Sequence, residues 1–491
     1  MNMPTMEDRA RQALVKMALE PEWEAHFEPN SYGFRPGRSA QDAIVAIFLA
    51  IKHKDKFVLD ADIQGCFDHI NQEVLLNKLQ TYPAMRRLVK EWLKAGVLEG
   101  YEFTAITSGT PQGGVISPLL ANIALHGLET KVTQVRQGWE KVLIVRYADD
   151  FVLFHSDRTV LEEATREVER FLLDIGLSLH AEKTRVTHTL TPYQGNVGFD
   201  FLGFAIRQYR VGKTHSGKNS KGHLLGFKTI IKPSRQAIKR HVRAIKQQIK
   251  ALRTRSQVEV LKALNPIIRG WAAYYRSVIA SRVFTRCDET LFEQLLRWSF
   301  VRHHGKGRDY AIKKYWRSDA SRKLVFKTPE DVEVRRHSMT KIERHVKVKG
   351  SASPYDGNLR YWSQRLAKHA VHHGKMGVLL HRQDGCCCWC GLHFGSEDVI
   401  EVDHIDRNRS NNQLDNLRAL HRHCHDERHA SRSTERESVP LVSITNDHTL
   451  KSRMRGNPHV RFGIGGGGGD SFADHTESGG VERRSRASRK R

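Results

Sequence analysis

Residues 1 to about 205 alternate helix-like stretches with short β-branched runs. FVLDADI (57–63), VLIVRYADDFVLF (142–154) and FDFLGFAIR (199–207) read as strands, whereas RTVLEEATREVERFLLDIG (158–176) repeats its apolar positions as an amphipathic helix does. This alternation predicts a mixed α/β domain. GKTHSGKNSKGHLLG (212–226), rich in Gly, Ser and Lys, is expected to mark a boundary. Beyond it the pattern turns helical. After Ser234 as N-cap, Ile238, Val242, Ile245, Ile249 and Leu252 form an apolar stripe, and Lys239, Arg243, Lys246, Lys250 and Arg253 a basic one beside it. The basic stripe is either a solvated face or a surface for phosphates. From about 320 to 378 basic residues and histidines dominate without a period. A compact Cys/His segment follows at 379–430. The last sixty or so residues, with GIGGGGGD and ERRSRASRKR, have little hydrophobic periodicity and are expected to be disordered.

Length and charge narrow the classes. A chain of 491 residues implies several domains, and a formal charge of +26 suits a polyanion, nucleic acid before membrane. The longest apolar run, AIVAIFLAI (43–51), is too short to span a bilayer, and MNMPTMEDRA lacks a signal-peptide core, so an intracellular protein with no membrane is expected. Five of seven cysteines crowd into 386–424, while Cys66 and Cys287 stand alone. This fits a metal site in a reducing compartment better than a disulfide framework.

Three carboxylates carry the candidate chemistry. Asp60 and Asp62 share one face of a strand that FVL marks as buried, and RYADDFVLF (146–154) holds Asp149 and Asp150 at a hairpin tip. Taken alone, the pair is either two turn residues in water or the edge of a cation site. If the strands are neighbours, Asp62, Asp149 and Asp150 form an all-oxygen set suited to Mg²⁺ and to in-line phosphoryl transfer.

RYADDFVLF, DADIQGCFD, SGTPQGGVISPLLANIALHGLE and GLSLHAEKT stand in the order and spacing of reverse transcriptase motifs. With SYGFRPGRSAQDAI and FDFLGFAIR they resemble a group II intron reverse transcriptase and maturase. The resemblance implies a right-hand polymerase palm with Asp62 and Asp149 as Mg²⁺ ligands and Asp150 as the third carboxylate. It also implies Phe67 under the sugar of the incoming deoxynucleoside triphosphate, Gln112 lining the nucleotide and template pocket, and Lys183 near the departing pyrophosphate. Arg35 either meets template phosphate or pairs with a local acid. NPIIRGWAAYYRS (265–277) resembles the maturase, or X, domain, where Trp271, Tyr274, Tyr275, Arg269 and Arg276 either contact RNA or, for the rings, pack in a core. Family members carry an N-terminal extension and a first fingers strand before PTMEDRA, so an upstream start or an N-terminally truncated copy is expected.

In CCCWC, Cys387 and Cys390 have C-x-x-C spacing, and His421 with Cys424 supply a second pair for a closed Zn²⁺ site. Cys386 or Cys388 is an alternative to Cys387, and His423 to His421. The intervening EVDHI and LDNLRALHRHCH resemble an HNH endonuclease, a ββα-metal module. The resemblance implies His404 as general base, Asn416 orienting the loop or a ligand, and Asp403 with His425 holding a divalent ion, Mg²⁺ or Mn²⁺. His429, one turn beyond His425, is an optional ligand. A purely structural zinc finger is the alternative. The usual glycine pair after the first His is replaced by DRNRSNNQLDN (406–416).

The expected architecture is therefore multidomain α/β and α. It comprises fingers and palm over 1–211, a helical thumb/maturase domain over 212–320, a basic DNA-binding region over 321–378, the HNH zinc module over 379–430 and a tail over 431–491. The expected function combines RNA-directed DNA polymerisation, splicing of group II intron RNA and nicking of target DNA during intron mobility, in a bacterial cytoplasm and as a dimer or ribonucleoprotein. The alternatives are a non-polymerising, RNA-binding splicing maturase and a copy retaining only the nuclease.

Overall fold

The computed structural model describes residues 4–95, 97–99, 102–104, 108–109, 113–136, 138, 141–303, 305–318, 324–367, 375–395 and 398–430. Gln112 and the tail over 431–491 lie outside them. No described helix is long and apolar enough to cross a membrane.

Near the N-terminus, α1 (Met6–His26) starts where the Thr5 hydroxyl accepts from Asp8 N, and α2 (Ala40–Ile51) starts in a capping box between Ser39 and Asp42. The central sheet is antiparallel, formed by β1 (Phe57–Asp62), β2 (Leu143–Tyr147), β3 (Asp150–His155) and β4 (Arg185–His188) in the order β2-β3-β1-β4. Strand periodicity divides its side chains between two cores. Leu59, Ala61, Phe151 and Leu153 pack against α3 (Ser117–Leu125) and α4 (Arg158–Asp174). Val58, Val145, Val152 and Phe154 join Ile44, Ile47 and Ile51 of α2 in the second core. Asp62 and Asp150 have the parity of Val58 and Val152, so they extend this second face at the end of the sheet.

FDFLGFAIR, expected as one strand, is two. β5 (Phe199–Phe201) and β6 (Phe204–Arg210) reverse at Leu202 and Gly203, whose φ values are 49° and 79°. β7 (Phe227–Pro233) pairs with the whole of β6. The stretch 212–226 is therefore the connection inside a hairpin, which corrects the boundary expected between 211 and 212. Gly- and Lys-rich composition signals a turn, but cannot say whether the chain returns to the same sheet.

Three helices follow: α5 (Arg235–Ala251), α6 (Gln257–Tyr275) and α7 (Ser281–Arg302). Ser234 caps α5 by accepting from Ala237 N. α5 buries Ala237, His241, Ile245 and Ile249 and exposes Lys239, Arg243, Lys246 and Lys250. The aromatic signature of α6 turns inward. Trp271 stacks on His241 at 4.3 Å, Tyr274 Oη donates to Leu202 O at 3.0 Å, and Tyr275 Oη donates to Gly203 O at 3.2 Å. The tyrosines clamp α6 to the β5–β6 turn and Trp271 ties it to α5, while Arg269 lies on the surface and Arg276 is buried against Glu343.

The region 321–378, expected as a separate basic unit, is woven into the N-terminal part. Fully buried Asp42 accepts from His345 Nε2, Val348 N and Arg365 Nη2, and Trp362, on α8 (Leu359–Ala367), packs into the second core. A long-range contact of this kind leaves no periodic trace. The Cys/His segment begins with α9 (Lys375–Arg382), ahead of the expected start at 379. It continues as a hairpin of β8 (Ile400–His404) and β9 (Leu417–His421), closed by α10 (Arg422–Ala430). Leu379, Leu380, Phe394, Leu417, Ala419 and Leu420 form its small core.

Candidate active site and metal clusters

The β1–β3 register sets Asp62 opposite Asp150, and Asp149 occupies the turn between β2 and β3. The turn depends on Ala148 at φ 58°, which costs a residue with a Cβ about 1 kcal/mol or more. Three hydrogen bonds hold it there. Arg146 Nη1 donates to Ala148 O (3.1 Å) and Asn122 Oδ1 (3.0 Å), and Asn122 Nδ2 donates to Gly33 O (2.9 Å). Gly33 lies so close that a Cβ built on it would sit 2.3 Å from Ala148 N. Sequence reasoning missed both Gly33 and Asn122; the glycine in SYGFRPG was the only signal.

A cleft of about 470 Å³ opens beside the carboxylates, lined by Asp62, Phe67, Gly113, Gly114, Asp149 and Lys183 among others. Phe67 meets Phe34 edge-on at 6.2 Å. Lys183 Nζ is 2.5 Å from Asp62 Oδ2, and the carboxylate raises the lysine pKa. Burial, then the charges of Asp149 and Asp62, push Asp150 up to about 7, and it shares a hydrogen bond with Asp62. Burial also raises Asp149. Repulsion among Asp149, Asp150 and Asp62 is what a divalent cation relieves, although among the described residues the three carboxylates are not gathered within the 4.8 Å span of the clusters in the Cys/His segment. Arg35 is settled as structural: it is buried, paired with Glu24 at 2.8 Å, and donates to Glu28 O and Ser31 O.

In the Cys/His segment the structure brings Cys387, Cys390, His421 and Cys424 together, with ligand atoms all within 4.8 Å of one another. Cys386 turns away to His393 Nδ1 (3.3 Å), and neither Cys388 nor His423 joins the set. Asp398, which the sequence did not single out, lies 3.2 Å from His421 Nε2, while His421 Nδ1 lies 3.4 Å from Cys390 Sγ. A carboxylate on one ring nitrogen leaves the other aimed at the sulfurs, as a zinc ligand requires. Burial and neighbouring thiols raise Cys424, whereas backbone donors outweigh burial and lower Cys387. Crowded thiols of this kind fit Zn²⁺.

A second cluster joins Asp403, His425 and His429 within the same span. Asp403 is 1% exposed; its Oδ2 accepts from Arg418 Nε (2.9 Å) and Arg428 Nη1. Its buried Oδ1 has no hydrogen-bond partner, and His429 Nε2, 3.3 Å away, is not placed to donate to it. An orphaned carboxylate oxygen facing two imidazoles fits a divalent ion. His425 Nδ1 also lies 3.1 Å from Glu401 Oε2. His404 follows Asp403 in β8, with its Nε2 shielded and unpartnered. Asn416 pins the intervening loop, donating from Nδ2 to Asp406 Oδ1 and Asn411 O (2.8 Å each) and accepting from Asp406 N. Glu401, Arg418 and Arg428 escaped sequence reasoning because charged residues in a basic chain carry no distinguishing period.

Residues 1–206 match the reverse transcriptase (RNA-dependent DNA polymerase) family, and residues 238–316 match the group II intron maturase-specific domain. The chain is 32% identical over 247 residues to Protein YkfC of Escherichia coli (strain K12), covering 43% of this chain and 63% of that protein. It is 28% identical over 351 residues to the group II intron-encoded protein LtrA of Lactococcus lactis subsp. cremoris, covering 56% of this chain and 57% of that protein. It thus spans less than two thirds of either relative's length. Among solved structures, apo telomerase from Candida tropicalis aligns with a TM-score of 0.33 at 13% identity, over 64% of this chain and 57% of that chain, a distant likeness.

Proposed function

We propose that this chain, which carries a reverse transcriptase domain and a group II intron maturase-specific domain, copies RNA into DNA at Asp62, Asp149 and Asp150, assists splicing of a group II intron RNA and nicks target DNA with its Cys/His segment. The observation that carries the polymerase reading is the pairing of Asp62 with Asp150 beside Asp149, at a cleft lined by Phe67 and Lys183. Divalent ions bound there supply activation of the primer hydroxyl and stabilisation of the leaving phosphate oxygen. The protein's own groups do the rest. Gly113 and Gly114 admit the substrate close to the backbone, Phe67 offers a flat face to the sugar, and Lys183 meets polyphosphate charge. Gln112 is proposed to line the same pocket.

For the nuclease, Asp403 and His425, with His429 beside them, would hold one divalent ion against the scissile phosphate. His404 would take a proton from water, while Asn416 keeps the loop in place. Cys387, Cys390, His421 and Cys424 would hold Zn²⁺ as a structural brace. Together these steps provide target-primed reverse transcription: one strand is nicked and its 3′ end extended.

A second reading, an RNA-binding splicing maturase that does not polymerise, is favoured by the exposed basic stripe of α5. Primer extension on an RNA template separates the two. The parent chain should make Mg²⁺-dependent cDNA and Asp149→Ala none; absence of cDNA from the parent would sink the polymerase reading. His404→Ala should abolish divalent-dependent nicking while splicing persists, and equal nicking by the variant refutes the base assignment.

A further inference from the structure

Lys183 presents its ammonium to Asp62 Oδ2 at 2.5 Å, on the carboxylate that ends β1 and lines the cleft. Its backbone is tethered to the same residue. His180 N donates to Asp62 O (2.8 Å), and the turn closes through Lys183 N to His180 O (3.1 Å) and Thr184 N to His180 O (2.9 Å). The side chain itself is 61% exposed, so its flexible stem can swing without disturbing any core. A compact positive charge against Asp62, with Asp149 and Asp150 in its field, occupies the electrostatic position of a divalent ion.

We propose that Lys183 is a built-in stand-in for the palm metal. It neutralises Asp62 in the metal-free protein, yields that oxygen to an incoming divalent cation, and is then free to meet the polyphosphate of a nucleotide. The proposal rests on the polymerase reading above. It assigns Lys183 a cost as well as a use: the residue weakens metal binding before nucleotide arrives.

The test uses the full chain with Fe²⁺ in place of Mg²⁺ and no nucleotide, so that ascorbate and peroxide cut the backbone beside the bound ion. Fragments ending near 60–62 and 149–150 report the palm, and fragments ending near 401–429 report the Cys/His segment. In Lys183→Gln the Fe²⁺ concentration for half-maximal palm cleavage should fall by about two- to fivefold, the worth of an exposed ion pair. The Cys/His fragments should not move, and Lys183→Arg should stay within about twofold of the parent, since the charge is kept. An unchanged or higher palm midpoint in Lys183→Gln overturns the proposal. Palm fragments missing from parent and variant alike would instead refute the palm metal site, and the proposal with it.

Discussion

Asp42 is expected to hold residues 345–365 against the N-terminal part of the protein, and its removal can be given a magnitude. Five donors converge on its buried carboxylate: Ser39 N (2.9 Å), Ser39 Oγ (2.8 Å), His345 Nε2 (3.1 Å), Val348 N (2.7 Å) and Arg365 Nη2 (2.7 Å). Burial alone would raise its pKa, but the His345 hydrogen bond and the Arg365 charge hold it well below the usual carboxylate range. An acid depressed in this way contributes stability above its unfolded value and loses it as pH falls through the folded one, so its full contribution is present at neutral pH. In Asp42→Asn, Arg365, whose side chain is 10% exposed, loses its counter-ion at a cost of about 3–5 kcal/mol. If opening of the 345–365 segment controls exchange there, its amides should exchange about a hundredfold faster or more, read by hydrogen–deuterium exchange with mass spectrometry. Arg365→Met combined with Asp42→Asn removes both charges, so the double variant should lose less than the sum of the two by about 1–3 kcal/mol. Acceleration below about fivefold, close to 1 kcal/mol, or strictly additive losses would refute the reasoning.

Three other outcomes follow from the geometry. Gly33→Ala drives a Cβ into the backbone at Ala148, and should cut primer extension by about a hundredfold while nicking persists, since a displacement near 1 Å suffices; activity within twofold of the parent would contradict it. Asp398→Asn should weaken zinc about 10- to 100-fold in competition with a chromogenic chelator, and His423→Ala, outside the set, should leave the affinity unchanged. Because burial and its acidic neighbours hold Asp150 protonated up to about pH 7, the unfolded chain loses that proton first as pH rises. The stability contributed by the protonated form is therefore complete below the ordinary carboxylate value and lost as pH passes 7. Melting curves should show more stabilisation by Mg²⁺ at pH 8 than at pH 6, and this difference should vanish in Asp150→Asn.

The strands around the two-carboxylate turn were legible because their pattern is local. Period-two burial in FVLDAD and FVLF, joined to a two-carboxylate turn, constrains which residues share a sheet face before any packing is known. C-x-x-C spacing likewise nominates a zinc site. That spacing also favoured Cys387 over its neighbours, while the pairing of Cys386 with His393 came only with the fold. Local pattern read Leu202–Gly203 as the middle of a strand, although two positive φ values reverse the chain there.

By itself, then, the sequence determined the strand faces, the helix caps and the residue types able to bind cations, because these depend on neighbours within a turn or two. Only the tertiary structure decided that Lys183 lies on Asp62, that Gly33 braces Ala148, that Tyr274 and Tyr275 face β5–β6, and that Asp42 binds residues 345–365. Each of these joins segments far apart in the chain, and which distant partner is chosen depends on how whole elements pack and on which buried polar groups must find one another.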